Sequence, residues 1–161
     1  MIAVMRDGEL EAVLAEVSIP GRMAWAVDCI AAWAALAEVD SPLVERSLAH
    51  MRRFCGNWAL DEWERELMRE FPNVEAAIAE ETGDAALATA IDVAFNEIGR
   101  GNLYAAVRGR SELTLRGALK IAALAAEAGI PVLDGRDYLA DPFTAGGGWG
   151  NDWRPESWSP R

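Results

Sequence analysis

Glu80, Glu81, Thr82, Gly83 and Asp84 stand in one short run, and a segment upstream carries Asp61, Glu62, Glu64, Glu66 and Glu70. Carboxylates in such number suit a hard divalent cation, which takes oxygen donors and retains part of its hydration shell. A helix repeats every 3.6 residues, so Glu62 and Glu66, four apart, share a face. His50 is the chain's one histidine and could act as a general base, because its ordinary pKa suits proton transfer near neutrality. A triad would also need a nucleophile. Ser47, one helical turn earlier, lacks the glycine neighbours that mark a strained nucleophile turn, so no catalytic residue is assigned. Cys29 and Cys55 lie far apart without metal-ligand spacing and are expected as reduced thiols in the core.

The order of these acids resembles the all-α nucleotide pyrophosphatases of the MazG and dUTPase type, where an EExxE helix precedes an E-E-x-G-D segment. Here that segment is Glu80 to Asp84. The resemblance implies an all-α fold with Mg²⁺ held by Glu62, Glu66, Glu81 and Asp84 on a nucleoside triphosphate. It covers residues 61–84. The upstream acids depart from the EExxE spacing, and Pro72 interrupts the stretch. The step from Ile78 to Leu87 turns about 180° on a helix, so the stripe Val74, Ala77, Ile78 is out of register with Leu87 and Ile91. The competing expectation is a solvated acidic face, with Gly83 ending one helix and Asp84 capping the next.

The net charge of −11 is unevenly spread. Residues 61–97 hold eleven acids against Arg65 and Arg69, a local charge of −9, while Arg100, Arg108, Arg110, Arg116 and Lys120 against Glu112 make the following stretch +4. An acidic surface repels phosphate backbones, so nucleic acid is excluded as a direct ligand, whereas a basic protein is attracted. The favoured reading is therefore a non-enzymatic interaction module of the immunity or antitoxin kind, without a cofactor, in which Glu62, Glu66 and Glu70 contact a basic partner. One lysine against fourteen arginines, in an alanine-rich chain, suggests a GC-rich bacterial genome. The run at Met1 to Met5 is too short for a secretory leader and acids follow it directly, so the expected location is the cytoplasm. The apolar stretch over 23–39 contains Asp28 and falls short of a bilayer span.

Positioning these groups falls to helices, because alanine is abundant while β-branched residues are sparse. One all-α domain of about six or seven helices is expected over residues 1–145, with an irregular tail over 146–161. The first helix runs from about 6 to 17. Pro20 opens a second, apolar nearly all round to Glu38, which should be the central element and bury Trp25 and Trp33. Asp40 or Ser41 caps a third, whose inner stripe is Val44, Leu48, Met51 and Cys55, with Gly56 ending it. Asn57 starts a fourth that ends before Pro72, and Asn73 starts a short fifth. Asp84 starts a sixth along Leu87, Ile91, Ala94 and Ile98, stopped by Gly99 and Gly101. One or two turns follow over 102–107. Ser111 then caps a last helix with Leu115, Leu119, Ala122 and Ala126 inward, closed at Gly129 before Pro131. In the tail, glycines and prolines flank Trp149, Trp153 and Trp158, which excludes regular structure. Phe143, Trp149 and Trp153 are expected to fill a groove, with Trp153 and Trp158 as candidate contacts for a partner or a second copy of the chain.

Overall fold

A computed structural model describes residues 6–55, 60–100 and 112–139. Among the described residues the fold is all-α, without a strand. The helices are α1 (Asp7–Glu16), α2 (Ile19–Leu36), α3 (Pro42–Cys55), α4 (Leu60–Glu70), α5 (Val74–Thr82), α6 (Ala85–Val93) and α7 (Glu112–Glu127). A π-helical turn, Ala94–Arg100, continues α6, and a 3-10 turn, Gly135–Tyr138, follows α7. No helix among the described residues is long and apolar enough to cross a membrane.

Helix α2 is the hub because its sequence is apolar on every side. It packs on α3, α6, α7, the π-turn and the 3-10 turn, and Trp25 and Trp33 are both buried. Ser18 caps it by accepting from the Gly21 amide at 3.1 Å, with Pro20 in its first turn, where a missing N–H leaves no bond unmade. Two buried polar residues interrupt its apolar surface. The Arg22 guanidinium donates to the carbonyls of Leu14 (2.9 Å) and Ala15 (3.2 Å) and to Thr114 Oγ1 (2.8 Å), tying the end of α1 to α7. Burial lowers its pKa to about 10, still charged at neutral pH. Asp28 accepts from the Tyr138 hydroxyl, and Trp25 Nε1 donates to Leu133 O at 3.1 Å, so the segment after α7 is fastened across α2.

Local signals set most boundaries. Ser41 Oγ accepts from Val44 N, and Asp84 Oδ1 accepts from Leu87 N at 2.9 Å, each capping the helix that follows. Gly83 at φ 71° closes α5. Gly129 at φ 73° closes α7, with Ile130 N donating back to Ala125 O at 2.8 Å, as in a left-handed C-cap. Both cysteines are buried free thiols, and burial pushes Cys29 up to about 12 and Cys55 higher, far from thiolate chemistry at neutral pH.

Two expectations are corrected. Gly99 does not stop the sixth helical run, which stays helical through Arg100. Its missing side chain serves packing instead, because the Trp63 ring lies where a Cβ would be. On α7 the buried face is Thr114, Gly117, Ala118, Ile121, Ala122 and Ala125, while Leu115 and Leu119 are half-buried and Ala126 is exposed. Small residues there let α7 approach the π-turn closely, Gly117 lying against Glu97 and Ile98, which larger leucines would prevent. Gly56, Asn57, Ser111, the turns over 102–107 and the tail, including Phe143, Trp149, Trp153 and Trp158, lie outside the described residues.

Candidate functional site

A cleft of about 520 Å³ opens between the end of α4, α5, the start of α6 and the π-turn. Its apolar lining comes from Leu67, Phe71, Val74 and Phe95, and Met68, 57 % exposed, adds an uncovered thioether. Phe71 is there because Pro72 ends α4, and Asn73, at φ 51°, turns the chain into α5. One wall is polar. Asn96 Nδ2 donates to Asp92 Oδ1 at 2.9 Å, and Arg100 Nη1 donates to Asn96 Oδ1 at 3.2 Å. Arg100 Nε also donates to Glu64 Oε1 at 2.9 Å. On the α5 side Thr89 Oγ1 donates to Glu75 Oε1 at 3.4 Å, and the Glu75 carboxyl adjoins that of Asp92. A continuous polar row thus runs from α4 through the π-turn and α6 to α5.

The π-turn aligns the two ends of this row. On a straight α-helix Arg100 would be rotated by roughly 80° from Asp92. The wider turn, bonded i to i+5, brings Arg100 back over Asn96 and Asp92. Such turns occur mostly as single-turn insertions and often at functional sites. Burial first, then the charge of Glu75, raises the Asp92 pKa above the usual carboxylate range, and Glu97 adds to it. A cleft with an apolar floor, convergent polar groups and a perturbed carboxyl has the character of a ligand site.

A smaller cleft lies on the other side of Phe71, lined by Arg46, Ala49, His50, Arg53, Glu66 and Glu70. His50 is buried, stacked on Trp63 with centroids 4.8 Å apart, and packed by Phe71 and Phe95. Trp63 Nε1 donates to His50 O at 2.8 Å, and the imidazole Nε2 stands 3.1 Å from Trp63 O. A carbonyl only accepts, so Nε2 carries the proton of the neutral ring and Nδ1 is left toward Glu66, 4.0 Å away. Burial lowers the His50 pKa; Arg53 adds to this, and the Trp63 carbonyl, Glu66 and Glu70 oppose it. Ser47 is buried and its hydroxyl donates to Leu43 O at 2.8 Å, so it presents no nucleophile to the ring.

A stability prediction follows from this ring. With its folded pKa below the ordinary value, His50 stabilises the fold above about pH 6.5, and that contribution is lost as the pH falls through the folded pKa. Asp92, raised, acts with the opposite sign: its contribution is present at acid pH and lost as the pH rises through its folded value. Comparison of wild type with His50→Phe isolates the histidine. Urea midpoints of the wild type should fall more steeply between about pH 7 and 5 than those of the variant. Parallel curves would show that the ring takes up its proton equally in both states.

The acids singled out from the sequence are placed as follows. Glu62 is exposed on α4. Glu66 pairs with Arg53 at 2.7 Å, and Glu70 with Arg69 at 2.9 Å. Glu81 is exposed at the end of α5, and Asp84 caps α6. None of these lines the larger cleft. Among the described residues no group of three or more His, Cys, Asp or Glu has a metal-holding arrangement. Glu64 and Glu97 pair with Arg100 and Lys120. Much of the acid on α4 and the π-turn thus meets cations of this chain, while Glu75, Glu80 and Glu81 stand exposed on α5.

The sequence assigns no site role to Glu75, Asp92, Asn96 or Arg100. The available signal was the spacing of four from Asp92 to Asn96 to Arg100, the same spacing that puts Glu62 and Glu66 on one face. The described architecture defines an all-α bundle with a polar-walled cleft at a helix irregularity. No family model, curated protein or solved structure matches the chain.

Proposed function

We propose that this protein is a non-enzymatic interaction module that binds a basic protein partner through the acidic side of the bundle formed by α4 and α5. The observation that supports this reading is the distribution of acid. The exposed acids Asp61, Glu62, Glu75, Glu80 and Glu81 lie on two consecutive helices, and of these Glu75 lines a cleft with an apolar floor. Charge of one sign beside apolar surface is what a cationic partner recognises, with charge steering the encounter and apolar contact holding it.

An arginine-rich peptide added to the whole protein tests the reading. Binding should be strong at low ionic strength and weak at high. Charge reversal at Glu62, Glu80 or Glu81 should weaken it by about two- to five-fold each. Reversal at Glu11 or Glu127, both exposed elsewhere, changes net charge equally and should leave it unaltered. Equal effects at all five positions would reduce the reading to net charge. Mg²⁺-dependent turnover of a nucleoside triphosphate, abolished by Glu81→Ala and Asp84→Ala, would replace it with the pyrophosphatase reading.

A further inference from the structure

We propose that the α4–α5–α6 cleft is the anchor pocket of this module and takes one basic side chain of the partner, its guanidinium or ammonium between Glu75 and Asp92 and its aliphatic stem on Phe71, Val74 and Met68. This rests on the module reading and adds to it the place and chemistry of the central contact.

The two carboxyls adjoin at the cleft. Two like charges held side by side at a partly buried position favour a cation between them, because it removes their repulsion and donates to both. The wall is also oriented: the carboxamide of Asn96 holds Asp92 Oδ1 from one side, and Arg100, itself held by Glu64, holds Asn96 from the other. Asp92 is thereby fixed before any ligand arrives, which lowers the ordering that binding requires. The floor over Phe71, Val74 and Met68, backed by the buried Leu67 and Phe95, is apolar, suited to the methylene stem of arginine or lysine and unsuited to a bare hydrated ion. Met68, exposed and free to change rotamer, lets the pocket adapt to either stem.

The test uses the whole protein and three probes, n-butylguanidinium, n-butylammonium and Mg²⁺, followed by NMR shifts at Phe71, Val74 and the Asn96 side-chain amide. The alkyl cations should move all three sets of signals. Asp92→Asn and Glu75→Gln should each weaken the alkyl cations, and together by about ten-fold or more. Neither change threatens the fold: the carboxamide introduced at position 92 keeps an oxygen for Asn96, and Glu75 is exposed. Shifts insensitive to both substitutions, or absent altogether, overturn the proposal. So does stronger binding of Mg²⁺ than of the alkyl cations, since the pair would then be an ion site. The arginine-rich peptide separates the two claims. If it binds with the expected salt dependence while the cleft variants bind it unchanged, the anchor is wrong and the module stands. If the alkyl cations bind in the cleft and the peptide does not bind the protein, the module reading fails.

Discussion

Replacing Trp63 by Ala should destabilise the fold by about 3–5 kcal/mol, the range for removing a large buried aromatic side chain. Trp63 is fully buried, although α4 buries only one other side chain, Leu67, so this indole fixes most of the helix to the bundle. Its ring stacks on His50, meets Phe54 edge-on at 5.2 Å and faces Phe95 at 6.3 Å. Its loss also leaves the His50 carbonyl without the indole donor. Chemical denaturation should therefore show a lower midpoint, and α4 should exchange its amides with solvent ahead of α2. Retention of the wild-type midpoint would mean that α4 is held by contacts other than this ring.

The second large effect is expected at the opposite side of the same contact. Gly99→Ala places a methyl group on the Trp63 ring, 2.8 Å from Cζ3 and closer still to Cη2. A flexible side chain would swing away, but this ring is wedged among His50, Phe54 and Phe95. Overpacking of a rigid site costs about 1–3 kcal/mol, and the upper end is expected here. The Trp63→Phe background should relieve most of it, because a phenyl ring does not reach as far. A double-mutant cycle in urea measures the coupling directly. Additive losses would place the strain elsewhere, in the π-turn backbone.

These two residues also show why the sequence was legible in some places and opaque in others. Helix existence followed from local rules that need no tertiary information. Ser41 and Asp84 cap, Pro20 opens, Pro72 breaks, Gly83 and Gly129 close, and the structure uses them in those roles. The inward residues of α3 and α6 followed from helical period in the same way. Gly99 was misread because glycine has two uses, ending a helix and admitting a neighbour. Only the neighbour distinguishes them, and Trp63 comes from a different helix, remote in sequence. The α7 stripe was misassigned for a related reason. Period identifies an apolar arc, but closeness of approach selects its small-residue part, where Gly117 and Ala118 lie.

The candidate site was harder still. Acid clustering drew attention to Glu62, Glu66, Glu70, Glu81 and Asp84, and the structure engages three of these in pairs or a cap. The cleft instead recruits Glu75, Asp92, Asn96 and Arg100 from three elements. Asp92, Asn96 and Arg100 follow the helical spacing of four, but the approach of Glu75 from another helix is a tertiary contact that acid clustering does not reveal.

The π-turn has a further consequence, for where the chain can change length. It joins two fitted surfaces: α6 is matched to α2 and α5 before it, and Gly99 and Arg100, at its end, are matched to Trp63 and Glu64. Between those surfaces a wide turn carries about one residue more than an α-helix of the same phase. Removal of that surplus residue would let the backbone close into ordinary helix while leaving the glycine under the indole and the arginine beside its glutamate. The same deletion inside α6, where no surplus exists, would turn everything beyond it by roughly 100° and break both contacts in one step. The irregular turn is thus a length buffer, a place where this helix can gain or lose a residue without rewriting its neighbours.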